Sequence, residues 1–261
     1  VSIPAALTAA GTVAAFAAIY AAHALYGFIG PAIAFLLLGA TGVATMLAAA
    51  LHGPALAGVG LVGSLGEPLL VHSARPNPWP LVIYLLAVAG AAYGLARFRR
   101  WLWLAGAAAI GVGLWQGLLV LDAHSLDIFR AALAHGLAQT AVALGVFVLP
   151  LTAFDDGAAQ PDPLATAVPA MMGLGALSAL TATPGAHFGL MWMLGGAALV
   201  GLLAFGAQMS AAVALLAPAA AVAGLAALRL WPGANPLEAV PRMDFDWLVA
   251  MAPPRDIGWF T

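Results

Sequence analysis

Glu67 stands directly before Pro68 in "GVGLVGSLGEPLLVHSARPNPWP", residues 58–80, inside an apolar, glycine-studded run. Two kinds of chemistry fit a carboxylate there. It lies four residues from the end of its apolar segment, about 6 Å along a helix, so it can reach for water at the membrane boundary. Alternatively, Pro68 lacks an N–H and bends a helix, which admits water or a polar partner to a working acid. The histidines pose the same question as a group. His23, His72, His124, His135 and His187 can all be placed on one side of a membrane together with Glu67, Asp122 and Asp127, and only His52 faces the other way. Imidazole and carboxylate on one face can hold a divalent metal, relay protons, or act as acid and base. The competing reading is a scatter of interface histidines that share no site. No pair has the H-x-x-x-H spacing of a metal helix, so no metal ligand is assigned. His135 and Gln139 are four apart on one helix face, which also fits an inter-helix hydrogen bond.

Other patterns carry less. Gly58, Gly60 and Gly63 match G-x-G-x-x-G, but that motif works only after a strand and at a helix N-terminus facing a pyrophosphate. Here it sits within an apolar span, where glycine serves helix packing. No Walker loop, metalloprotease helix or serine elbow is present. Asp155, Asp156 and Asp162 form an acidic loop that reads as a solvated connector, because a calcium loop needs more ligands at alternating positions. No cofactor is expected.

The elements that must position these groups follow from composition. Hydrophobic residues make up 64% of the 261 residues and charged ones 7%, against about 25% charged in a soluble domain. The apolar residues arrive in blocks of roughly 20, enough to cross about 30 Å of hydrocarbon. The fold expected is all-α, a polytopic transmembrane helix bundle of about nine spans in contact with the lipid bilayer. The spans lie near 5–26, 31–51, 54–71, 80–98, 101–121, 130–153, 164–182, 187–206 and 209–231, forming one bundle over 1–231. Residues 232–261 are a short tail, interfacial or leading into a further segment. The chain starts at Val1 without a basic leader, so a signal peptide is not expected.

There is no cysteine, which excludes disulfides and thiolate chemistry. All basic residues are arginine, a bias that fits a GC-rich bacterial genome. A net charge of −2 gives no reason to expect nucleic acid. The dense basic loop Arg97, Arg99 and Arg100 points to the cytoplasm by the positive-inside rule. Trp79, Trp101, Trp103 and Trp231 sit at span ends as interface anchors, while Trp115 and Trp192 lie inside spans and should pack between helices. Gly60, Gly63, Gly66, Gly113 and Gly117 mark candidate close-packing faces, through which helix–helix partners or a homo-oligomer could also form.

The stretches "PAALTAAGTVAAFAAIYAAHALYGFIGPAIAF" (4–35) and "HGPALAGVGLVGSLGEPLLVHSARPNPWPLVIYLLAV" (52–88) resemble the predicted bacterial membrane proteins grouped as domain of unknown function 2339. "IYAAHALYG", "HGPAL" and "PNPWPL" carry the likeness, which is most specific over 4–100 and thins beyond. The resemblance implies a multi-pass protein of the bacterial inner membrane, with more spans than nine, of which these residues would be an internal piece. It implies no activity and no catalytic residues. It also leads us to expect a small neutral residue before the proline, which makes Glu67 a departure and argues against a family-wide role.

Three functional readings remain open at this level. The leading one is a transporter or permease-like module, which would use the broken span at Glu67-Pro68, with two alternatives. A structural or assembly scaffold of the envelope would need its polar residues only to satisfy one another. A membrane enzyme would work at the histidine-bearing face, although a non-enzyme is favoured.

Overall fold

Prolines open four of the helices. The computed structural model describes residues 3–71, 77–154, 161–181 and 190–229. Over these it has nine α-helices and no strand: α1 (Ile3–Tyr20), α2 (Pro31–His52), α3 (Pro54–Leu70), α4 (Pro78–Arg99), α5 (Leu102–Leu121), α6 (Leu126–Ala143), α7 (Pro163–Thr181), α8 (Leu190–Met209) and α9 (Leu216–Arg229). Pro31, Pro54, Pro78 and Pro163 each take the first helical position, where a missing N–H costs nothing and φ is already helical. Gly53 alone joins α2 to α3, with φ at 109°, a conformation that a side chain resists. Asn77 accepts from the Trp79 N–H at 3.0 Å to cap α4. Asp162 does the same for α7, its Oδ1 accepting from the N–H groups of Leu164 and Ala165 at 3.0 Å each.

Seven helices are long and apolar enough to cross a membrane, while α3 and α9 are shorter apolar helices. Two of the differences from the expected spans have a clear local cause. The sixth span starts at Leu126 rather than 130, because Ser125 accepts from the Ile128 N–H and starts the helix one turn earlier. The ninth is interrupted: Ser210 is extended, caps a short 3-10 turn at Ala211–Val213, and α9 begins only at Leu216. Pro218 then falls in the first turn of α9, the one place where a helix tolerates it freely. Single π-helical turns follow α1 at Ala21–Leu25 and α6 at Leu144–Val148.

The chain divides into two units, Val1–Val112 and Gly113–Thr261. In the first, α2 and α3 approach until backbones touch. A Cβ added to Gly60 would lie 2.8 Å from the Met46 nitrogen and 2.9 Å from the Gly42 carbonyl oxygen, and one added to Gly42 would run into Ser64 Oγ. Gly60 and Ser64 are four residues apart, so one small-residue face of α3 makes the crossing. Gly63 receives the Phe16 ring of α1, 2.7 Å from where its Cβ would be. The G-x-G-x-x-G match is thus a packing surface inside a helix. α1 faces the rest of the unit along one stripe, buries only Thr12, and meets α2 where the Thr12 and Thr45 hydroxyls stand 3.2 Å apart.

In the second unit Gly136 of α6 lies on the backbone of α7. Its added Cβ would be 2.5 Å from Ala176 Cα. The Trp192 indole is buried and donates to the Leu180 carbonyl at 3.0 Å, which places it between helices as its position suggests. Gly66, Gly113 and Gly117 do not behave as packing glycines, since nothing lies within 4 Å of an added Cβ. They stand on other helix faces, and spacing alone does not tell the faces apart.

Candidate functional site

Two buried polar clusters stand out, one in each unit. In the first unit Glu67 is fully buried, at 0% exposure, so it does not reach for the membrane boundary. Tyr84 of α4 faces it, with its hydroxyl oxygen 2.7 Å from Glu67 Oε2 and 2.7 Å from the Ser64 carbonyl oxygen. The second contact has a local cause. In a regular helix the N–H of residue 68 would donate to the carbonyl of residue 64, and Pro68 has none to give. The Tyr84 hydroxyl supplies that missing donor from the neighbouring helix. Gly39 of α2 makes room for both partners: an added Cβ would lie 2.6 Å from the Tyr84 ring and 3.4 Å from Glu67 Oε2. Phe35 packs against Tyr84 at 4.8 Å between ring centroids. Glu67 Oε1 and Ser64 Oγ are buried with no hydrogen-bond partner among the described residues.

Tyr84→Phe tests this arrangement. Removing the hydroxyl strips the donor from the Ser64 carbonyl and the partner from Glu67. The expected loss is about 1–3 kcal/mol of stability, read as a lower unfolding midpoint in lipid bicelles. An unchanged midpoint would show that the hydroxyl is not what satisfies the Pro68 break.

The second cluster joins three helices. Gln116 of α5 donates through Nε2 to the carbonyls of Ala132 in α6, at 3.1 Å, and Gly175 in α7, at 3.0 Å. Both of its neighbours there are acceptors, which fixes the amide orientation. Its Oε1 then faces His135 Nδ1 at 2.6 Å, so that ring nitrogen is the donor. Gln139 Nε2 stands 3.2 Å from His135 Nε2 within α6. His135, Gln139 and Gln116 are all buried. The four-residue spacing of His135 and Gln139 therefore gives an intrahelical contact, while the inter-helix bond of His135 runs to Gln116.

A family model for "Predicted membrane protein (DUF2339)" matches residues 1–242. The chain belongs to this family. No curated protein and no solved structure matches it. The DUF2339 match runs far beyond residue 100, where the likeness was expected to thin, and takes in all of the described second unit. The later spans carry fewer polar and proline landmarks than residues 4–100, so the family likeness there rests on the apolar pattern. With seven helices able to cross a bilayer, this DUF2339 chain is a multi-pass membrane protein. Exposed leucines such as Leu36, Leu51 and Leu114 give its helices the apolar surface that a bilayer solvates.

The other candidates of this DUF2339 chain are dispersed over the described structure. His23 Nδ1 donates to the Ile29 carbonyl at 3.0 Å and clips the end of the first span to the turn before α2. Asp122 and His124 are exposed in the link between α5 and α6. Asp127 forms an exposed pair with Arg130 at 3.4 Å, a kind of pair worth at most about 1 kcal/mol. His72, His187, Asp155 and Asp156 lie outside the described residues, and Asp162 is the cap of α7. Among the described residues no three His, Asp or Glu side chains are grouped to hold a metal ion. An apolar cavity of about 240 Å³ in the second unit, lined by Gly173, Leu177, Leu203, Pro218 and Val222, presents no group that could do chemistry.

Two partners escaped the sequence reading. Tyr84 is hidden in "LVIYLLAV", where a tyrosine counts as apolar. Gln116 had a usable signal, being a lone amide in the middle of a span, and such a group must find a partner in a membrane.

Proposed function

We propose that this chain is a structural scaffold of the bacterial inner membrane, a helix bundle that holds partner membrane proteins rather than converting or moving a substrate. The observation that supports the reading most is the Gln116 cluster. One amide ties α5, α6 and α7 through two backbone carbonyls and His135, so the most buried histidine of the described residues spends its ring on holding helices. His23 likewise serves a helix end, and Asp162 a helix cap. α1, which buries only Thr12, is the span with most apolar surface left for a partner helix.

Extraction of the full-length protein from its own membrane into lipid nanodiscs, followed by native mass measurement, tests the proposal. A scaffold is expected as a defined assembly heavier than a single copy, with a partner in fixed ratio. Single copies surrounded only by lipid would overturn it.

A permease-like reading keeps one specific observation in its favour. Glu67 is turned inward beside Pro68, which leaves one bond of α3 unmade, and is met by a polar partner, Tyr84, which is what a working acid requires. It also predicts something that a scaffold does not: flux of protons or a solute across vesicles that hold the protein, abolished in Glu67→Gln.

A further inference from the structure

Proton counting at Tyr84 yields a state that neither the scaffold nor the family assigns. Its hydroxyl carries a single proton, yet two oxygens stand 2.7 Å from it, the Ser64 carbonyl and Glu67 Oε2. The Ser64 carbonyl is a pure acceptor, and Pro68 has removed its usual donor, so Tyr84 gives its proton there. A second proton is then needed between Tyr84 and Glu67, because two oxygens at that distance without one repel each other. Only the carboxyl can bring it.

We propose that Glu67 is a proton-binding site, held in this fold as a neutral carboxylic acid. Its Oε2–H donates to the Tyr84 oxygen, and Tyr84 donates to the carbonyl that Pro68 left open. The surroundings fit an uncharged group. Glu67 is the only acidic residue of α3, α1 carries no acidic or basic side chain, His23 in the turn that continues α1 donates to the Ile29 carbonyl, and α2 has only His52 at its end. The stretch of α5 in the first unit, Leu102 to Val112, carries none either. On α4 the basic residues Arg97 and Arg99 lie at the far end, 13 residues or more from Tyr84, which is about 20 Å along a helix. Among the described residues no ion pair reaches Glu67, and a carboxylate without a counter-ion is a costly state for a buried charge in a membrane. The orphaned Oε1 points the same way. As the carbonyl oxygen of a neutral acid it can stay without a donor far more cheaply than as half of a carboxylate. This inference goes beyond the scaffold reading and does not depend on it.

Infrared spectroscopy of the full-length protein in lipid at neutral pH tests it, with unlabelled wild type, Glu67→Gln and Tyr84→Phe compared in light and heavy water. The other described carboxyl groups, Asp122, Asp127 and Asp162, are not buried, and the comparison with Glu67→Gln isolates the band of the buried one. The wild type is expected to show a carboxylic-acid C=O band above the amide region that moves down in heavy water. The band should vanish in Glu67→Gln, which keeps a donor for Tyr84 and so preserves the fold. In Tyr84→Phe the acid loses its acceptor, and the band should move to higher frequency. Should Glu67→Gln fail to assemble, the Tyr84→Phe shift decides alone. A wild type with no acid band, or a band untouched by the variants that assemble, overturns the proposal.

Discussion

Alanine at Gly136 is expected to cost the second unit about 1–3 kcal/mol of stability, and leucine there to prevent its assembly. The new Cβ would stand 2.5 Å from Ala176 Cα, 2.7 Å from the Ala176 nitrogen and 2.8 Å from its Cβ. Backbone atoms cannot rotate aside as a side-chain tip can, so α6 and α7 must separate. That movement also pulls at Gln116, whose Nε2 reaches carbonyls on both helices. In lipid the association of helices depends on such close approach, because burying apolar surface brings no gain when the solvent is itself apolar. Gly201 in α8 is the matched control. Nothing lies within 4 Å of its added Cβ, and alanine there should be neutral or slightly stabilising through better helix propensity. Unfolding of the three proteins in bicelles checks the contrast. Equal stability of Gly136→Ala and Gly201→Ala would mean that the α6–α7 crossing is not set by the missing side chain.

Gln116→Ala carries the second large effect, an expected loss of about 2–4 kcal/mol. The two carbonyls it serves also belong to helix ladders, so they lose only an extra donor. His135 loses more: its Nδ1–H stays buried, facing the place that Gln116 Oε1 held at 2.6 Å. Packing is lost as well, since Gln116 Cγ lies 3.0 Å from an added Cβ at Gly175 and so rests on that glycine's backbone. Gln116→Glu separates hydrogen bonding from packing. It keeps the volume but turns an acceptor towards the carbonyls of Ala132 and Gly175, so it should destabilise at least as much as alanine. If glutamate is tolerated at wild-type stability, the donor role of Gln116 is wrong.

The helices were legible in the sequence because the signals that start them are local. Proline at 31, 54, 78 and 163, the apolar blocks and the glycine at 53 act within a turn of where they stand. The interruption at 210–215 was not legible, because Ala, Val and Leu there suit a span as well as a turn. Ser210 decides it by capping a short turn in place of a long helix. The candidate site divides along the same line. Burial of Glu67 follows from the face of α3 that the Gly60–Ser64 crossing turns towards α2, which a single segment does not disclose. Its partner Tyr84 is 17 residues on and in another helix, and what brings them together is the room left at Gly39. His135 is visible in the sequence as a group able to do chemistry. Its role became plain only with Gln116, 19 residues away, whose amide can point in just one direction between two carbonyls.

Polar side chains within the spans act on one another to hold helices together. A double-mutant cycle on Gln116→Ala and His135→Ala, with unfolding free energies measured in bicelles, tests it most directly. A favourable coupling of about 0.6–1.7 kcal/mol is expected between the two positions, from the mean to the largest value found in such cycles between membrane helices. Strictly additive losses, with no coupling between the two positions, would contradict it and leave His135 open to other work.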